Sequence, residues 1–206
     1  MPELVKALLN LAIALVSLAF TWLIGHRLTA YWAVRQRRKE LALMAVERFH
    51  SHYGEFCAIW KLWDQVLSEF ASKSDKLEES RRALLDRATN MEAGVEATLL
   101  KVASEQLLSV REQAEFGNLR QAFQVARERI RDSQPIAYWS SEDPHYTEFK
   151  RLACAFGTIV GSSRYRREPS SEEAAKAFSE ITSNKYEGAW RGILSEGPSS
   201  HHMPPN

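Results

Sequence analysis

An uncharged, apolar run from Ala7 to Gly25 constrains this chain more than any other feature of its sequence. The run is nineteen residues long and contains no Asp, Glu, Lys or Arg. At about 1.5 Å of rise per residue, a helix of this length covers roughly the 30 Å of hydrocarbon in a bilayer. The run therefore predicts a transmembrane helix rather than a cleaved signal peptide, whose apolar region is usually about 7–15 residues long.

Charge is distributed unevenly around this run, and the asymmetry predicts its orientation. Residues 1–39 carry six Lys or Arg and one Glu, whereas the remainder of the chain has a net charge of −4. Because positively charged flanks stay in the cytoplasm, we expect the N-terminus outside and the C-terminal domain in the cytoplasm. The mildly acidic remainder argues against a nucleic-acid partner, since phosphate binding needs a basic surface.

The positive charges that follow the run are also candidates for contact with lipid headgroups. These residues are Arg27, Arg35, Arg37, Arg38 and Lys39. Each basic side chain near an anionic membrane surface contributes about 1 kcal/mol to binding. The alternative is that they act only as a topology signal.

Small and polar residues inside the apolar run recur at steps of three and four, so they share one face of the helix. These residues are Asn10, Ala14, Ser17, Thr21 and Gly25. Such a face permits close helix approach and interhelical hydrogen bonds, and it predicts self-association of the anchor into a homo-oligomer. The alternative is that the hydroxyls bond to their own backbone one turn back.

Beyond residue 40 the apolar positions follow helical spacing throughout. An aromatic-rich seam runs from Val46 to Phe70. Further seams run from Leu77 to Val102, from Phe116 to Ile130 and from Phe149 to Ile159. No stretch alternates as a strand would. The predicted fold is all-α, with an N-terminal single-pass transmembrane helix followed by an antiparallel cytoplasmic helical bundle of about four to five helices.

Local signals predict where these helices begin and end. Ser109 and Glu112 have the spacing of a capping box, and Pro144 suits the first turn of a fourth helix that ends near Gly161. We predict five segments along the chain: an anchor with its basic flank (1–39), a helical bundle (40–162), a basic Ser-rich linker (163–171), an amphipathic helix (172–195) and a disordered tail (196–206). The arginines of the linker, at positions 164, 166 and 167, suit either solvent or an acidic or lipid partner.

Large aromatic side chains offer a candidate partner groove. They are Trp60, Trp63, Tyr138 and Trp139. Tryptophan and tyrosine bury a large apolar area, so their first interpretation is the core of the bundle. If they are exposed together, they instead mark a docking site for a partner helix or an apolar ligand.

Two Glu-x-x-His steps, Glu47 with His50 and Glu142 with His145, are remote candidates for a di-metal site of the ferritin-like type. The second pair spans Pro144 at a helix start, where the required geometry fails, so neither a metal nor a cofactor is expected. Cys57 and Cys154 are far apart in the sequence and predict two buried thiols in a reducing compartment.

Catalytic motifs such as a phosphate-binding loop, a zinc-protease helix and a nucleophile elbow do not occur in this sequence. The hypothesis is a membrane-anchored, cytoplasm-facing helical interaction or regulatory module that self-associates. An alternative from another class is a membrane-perturbing or pore-forming effector, in which Asn10, Ser17 and Thr21 of several copies line a path and the soluble bundle senses a signal.

Overall fold

The computed structural model describes residues 2–70, 74–136, 144–162 and 166–186 of the 206-residue chain. Every regular element in these ranges is helical and none is a strand, which confirms the all-α class. The elements are α1 (Pro2–Phe70), α2 (Ser74–Glu105), α3 (Val110–Arg131), α4 (Pro144–Gly161), α5 (Ser171–Ile181) and a 3₁₀ turn (Asn184–Tyr186). Two compact units divide the chain, Met1–Leu41 and Ala42–Asn206.

The core of the second unit is built from interlocking phenylalanine rings. Phe56 of α1 lies 4.6 Å from Phe149 of α4 and 5.3 Å from Phe123 of α3, measured between ring centroids. One end of this stack continues to Phe49 and Phe156, whose centroids are 4.3 Å apart. All five rings are buried. Burying a phenylalanine side chain contributes about 1.5–3 kcal/mol, so this cluster is a large part of the stabilising energy.

The predicted apolar seams supply this core. In α3, all five predicted core residues are buried, namely Phe116, Leu119, Phe123, Ala126 and Ile130. The four predicted for α4 are also buried, namely Phe149, Leu152, Phe156 and Ile159. In α1 the seam divides, since Phe49, Phe56 and Trp63 are buried whereas Tyr53 and Trp60 are half-buried.

Several helix boundaries follow the predicted local chemistry. Ser109 caps α3, and both hydrogen bonds of its capping box with Glu112 are formed. Helix α4 begins at Pro144 and ends at Gly161, as predicted. The amphipathic helix was predicted over residues 172–195, but α5 ends at Ile181, where Thr182 forms its C-cap. The hydroxyl of Thr182 donates to the carbonyl of Phe178, which helps to satisfy the last turn.

Ion pairs join α2 to α3 along one side of the second unit. Nε of Arg120 lies 2.7 Å from a carboxylate oxygen of Glu96, and Nε of Arg127 lies 2.8 Å from one of Glu92. Burial is the main cause that raises the pKa of Glu92, and the positive charge of Arg127 opposes it. Charged groups this close to the core are costly unless they are paired, so these pairs fix how α2 and α3 align.

Candidate functional site

The apolar run in the first unit lies on the surface of α1. The side chains from Val5 to Val34 are all exposed. They include large apolar groups, such as Trp22 at 68% and Leu18 at 69% exposure. By length and composition this helix can cross a membrane. In water so much contiguous apolar surface is unfavourable.

The residues predicted to form the self-association face are all exposed on α1. The hydroxyl of Thr21 donates to the carbonyl of Ser17 at 2.8 Å, which is the local bond that the sequence left as an alternative. A methyl group added at Gly25 would meet no atom within 4 Å. This face therefore has room for close approach at Gly25, while the Thr21 hydroxyl is already satisfied within its own helix.

Basic and aromatic side chains follow this face. Arg27, Arg37 and Lys39 are exposed, whereas Arg35 and Arg38 are half-buried. The guanidinium of Arg35 lies 5.5 Å from the ring centroid of Trp32, within the range of a cation–π interaction. Trp32 itself remains 56% exposed. An aromatic belt next to fixed positive charge is the arrangement found where helices leave the hydrocarbon layer.

The aromatic residues of the candidate partner groove differ in their exposure. Trp63 has no exposed surface, so it belongs to the core, which is the first interpretation of these aromatics. Trp60 is half-buried, and its ring lies 5.6 Å from that of Tyr146. Tyr138 and Trp139 lie outside the described residues. Within the described chain, these aromatics close the core of the second unit rather than lining an open groove.

The remote metal candidates are not brought together within the described residues. Glu47 and His50 are exposed on α1, while His145 is buried in the first turn of α4. Glu142 lies outside the described residues. No group of three or more His, Cys, Asp or Glu side chains there has the geometry to hold a metal ion.

The cysteines differ from the prediction of two buried thiols. Both are free, Cys57 is half-buried and Cys154 is exposed on α4. Burial raises the pKa of the Cys57 thiol, so this group is a weak nucleophile at neutral pH. Cys154 is accessible and offers a natural position for labelling.

The linker arginines bind this chain's own carboxylates. The guanidinium of Arg166 donates to both carboxylate oxygens of Glu112, at 2.6 and 2.5 Å, and to the carbonyl of Leu107 at 3.2 Å. Arg167 forms a similar pair with Glu173, whose partner Ser170 caps α5 through a capping box. We call residues 166–173 the α5 clamp. Arg166 is thus largely removed from solvent by its pair with Glu112, whereas Arg167 stays exposed although it is paired, and Arg164 lies outside the described residues.

A close approach between α1 and α2 has no signal in the sequence. The imidazole ring of His52 lies against Gly94, so closely that any Cβ at position 94 would overlap it. Desolvation is the main cause that lowers the pKa of His52, followed by the charge of Arg48, and Glu55 opposes both. Glu55 in turn pairs with Arg87 of α2 at 2.7 Å. A larger residue at position 94 would therefore require the His52 ring to move.

Comparison with known proteins gives no relative: the chain matches no protein-family model, no curated protein and no solved structure.

Proposed function

We propose that this chain is a single-pass membrane protein whose N-terminus lies outside and whose second unit is a cytoplasmic module for interaction with other proteins, including copies of itself. The observation that carries this proposal is the exposed apolar surface of α1 between Val5 and Val34. Burying this surface in hydrocarbon removes it from water, and the helix satisfies its own backbone hydrogen bonds there.

Charge supports the proposed orientation. Glu3 and Lys6 on the N-terminal side of the run form an ion pair, with 3.6 Å between Nζ and a carboxylate oxygen. On the other side, Arg27, Arg37 and Lys39 are exposed and positive. The positive-inside rule then directs residues beyond the run to the cytoplasm.

Contacts between side chains support an antiparallel bundle in the second unit. Along α1 and α4, Phe49 pairs with Phe156 and Trp60 with Tyr146, so residue numbers rise in one helix as they fall in the other. The same reversal holds for the ion pairs between α2 and α3 described above. An antiparallel bundle with a closed aromatic core leaves its outward helix faces for recognition, which is the basis for proposing an interaction module.

Insertion can be tested with the full chain in cells. We expect the protein to stay in the membrane pellet after alkaline carbonate extraction. A variant with Leu15→Lys and Leu18→Lys should be extracted, because each charge at the centre of the bilayer costs about 2.5–3.5 kcal/mol. The matched control is Leu15→Ile with Leu18→Ile. Release of the unaltered chain by carbonate would overturn the anchor.

Orientation can be tested with the native thiol at position 154, after Cys57→Ala removes the other thiol. Cys154 is exposed, so a membrane-impermeant maleimide reaches it wherever the second unit faces the reagent. We expect no labelling in sealed cells and full labelling after permeabilisation. Labelling in sealed cells would place the second unit outside and contradict the proposed cytoplasmic location.

A further inference from the structure

Arg27, Tyr31 and Arg35 follow one another at steps of four along α1, directly after the apolar run. A step of four residues turns by only about 40° around a helix, so the three side chains share one face. Arg27 and Tyr31 are exposed, and Arg35 is half-buried. This face therefore presents two guanidinium groups, one on either side of a phenol ring, and we call these three residues the basic stripe.

The guanidinium of Arg35 is turned back along the helix towards the apolar run. It lies 5.5 Å from the ring centroid of Trp32, which precedes Arg35 by three residues. Tyr31 and Trp32 in turn make an edge-to-face contact, with 6.3 Å between their ring centroids. Long side chains of a helix generally lean towards its N-terminus, and here a cation–π interaction holds the charge in that direction. The charge of Arg35 thus lies nearer to the apolar run than its backbone does.

The sequence around the basic stripe contains no carboxylate that could neutralise it. Residues 4–39 include no Asp or Glu. Neither Arg27 nor Arg35 therefore has an acidic residue three or four positions away, which is the spacing of ion pairs within a helix. Arg120 in the second unit differs in this respect, since its Nε lies 2.7 Å from a carboxylate oxygen of Glu96. The charge of the basic stripe is complementary to an anion supplied from outside the chain.

The position of the basic stripe along α1 matches the headgroup layer of a bilayer that holds the apolar run. This layer is about 5–8 Å thick on each side, and Tyr31 lies about 9 Å beyond Gly25, at its outer edge. Arg27 and Arg35 are about 12 Å apart along the helix axis. Arginines near the ends of membrane helices extend towards the headgroups, so Arg27 can reach outwards while Arg35 is turned back. Both charges then meet the lipid phosphates near the level of Tyr31.

We infer that the basic stripe is a binding site for anionic phospholipid, with the lipid phosphate held between Arg27 and Arg35 beside Tyr31. This inference rests on the proposed insertion of α1 and adds a lipid preference to it. Guanidinium groups bind phosphate through charge-assisted hydrogen bonds that are often bidentate. Each basic residue near an anionic membrane surface increases the affinity about fivefold.

The preference can be measured with two spin-labelled lipids in proteoliposomes of the full chain. Phosphatidylglycerol carries one charge, on its phosphate, whereas phosphatidylcholine is neutral overall. Electron paramagnetic resonance in a phosphate-free buffer gives the fraction of each lipid whose motion the protein restricts, and hence their relative association constant. We expect phosphatidylglycerol to bind at least about fivefold more tightly, and Arg35→Gln to lower this preference about fivefold.

Arg37→Gln is the matched control for Arg35→Gln. It removes the same charge two residues further on, about 160° around the helix from Arg35. The residues three and four positions before Arg37 are Val34 and Ala33, in place of the aromatic pair that precedes Arg35. We therefore expect a loss of less than about twofold. Trp32→Leu keeps the charge but removes the ring that holds Arg35 back, and should lower the preference about threefold.

The outcomes distinguish failure of the anchor from failure of the basic stripe. Restricted phosphatidylcholine reports the insertion of α1 whatever the headgroup, so its absence would overturn the proposed anchor and this inference with it. Equal restriction of the two lipids would overturn the lipid site alone. Equal losses in Arg35→Gln and Arg37→Gln would indicate a diffuse attraction of the basic flank and would also overturn the site. An unaltered preference in Trp32→Leu would contradict the positioning of Arg35 by the indole ring.

Discussion

The indole N–H of Trp63 donates a hydrogen bond of 2.8 Å to the backbone carbonyl of Gln134, joining residues 71 positions apart in the chain. Trp63 is completely buried in α1, whereas Gln134 lies in the segment that follows α3. The turn after α3 places that carbonyl, since Ser133 has a positive φ of 55° and the N–H of Gln134 bonds back to Arg129 at 2.8 Å. A fully buried indole needs such a partner.

Two substitutions of Trp63 should distinguish the contribution of its hydrogen bond to stability from the contribution of its packing. Trp63→Phe keeps most of the apolar volume and loses the donor, so the free energy of unfolding should fall by about 1–2 kcal/mol. Trp63→Ala also leaves a cavity, for which we expect a loss of about 3–5 kcal/mol. Urea titration of the full chain in detergent, followed by circular dichroism, measures both. Equal losses for the two variants would contradict a role for the hydrogen bond.

The close approach of His52 to Gly94 predicts an unusual effect of alanine. In most helix positions Gly→Ala stabilises by about 1 kcal/mol, and Gly54→Ala should do so because a Cβ there meets no atom within 4 Å. Gly94→Ala should destabilise instead, since the added methyl overlaps the imidazole. Combining it with His52→Ala should remove that penalty. The melting temperatures of the four variants, compared as a double-mutant cycle, test the contact directly.

His52 should also make stability depend on pH. Its pKa in the folded chain is lowered, chiefly by burial and then by Arg48, so the unfolded chain binds more protons below pH 6.5. The stabilising contribution of neutral His52 is present above that pH and is lost as the pH falls through the folded pKa. We expect a smaller change in unfolding free energy between pH 7 and 5 for His52→Gln. Identical slopes for the variant and the unaltered chain would refute this.

The lowered pKa of Glu112 predicts a second loss of stability, at a lower pH than that of His52. Its hydrogen bonds with Arg166, followed in effect by those with Ser109, lower its pKa to about 2. The stabilisation is therefore present above the ordinary value of 4.5 and is lost as the pH falls towards 2. Glu112→Gln retains the capping box but loses the ionic bond, and should cost about 1–2 kcal/mol near neutral pH. Its stability should decline less between pH 4.5 and 2 than that of the unaltered chain, and Glu79→Gln, the same exchange at an exposed position of α2, is the matched control.

The anchor face predicts different roles for Thr21 and Gly25. Since the Thr21 hydroxyl bonds to the carbonyl of Ser17, Thr21→Val should leave self-association almost unchanged. Gly25→Leu fills the open space on that face and should reduce close helix approach. The yield of a Ser17→Cys crosslink in membranes measures both. A large loss with Thr21→Val and none with Gly25→Leu would reverse the assignment.

Local sequence chemistry predicted the parts of this fold that depend on neighbours in the chain. The apolar spacing located Phe123 and Phe156 in the core, and Ser109 with Glu112 located the start of α3. The contacts that distant segments create had no such signal. Nothing around His52 indicates Gly94, and nothing around Arg166 indicates Glu112, because each partner is separated by tens of residues and is selected only by packing.

The α5 clamp has a consequence for the order in which the chain opens. Helix α5 has eleven residues, of which Ala177 and Ile181 are buried and Phe178 is half-buried. A helix this short is marginal in water by itself. The ion pair between Arg166 and Glu112, which also completes the capping box of α3, therefore adds to the attachment of α5. Backbone amides of α5 and of the first turn of α3 should exchange with deuterium as one cooperative unit, well before the phenylalanine core exposes its own.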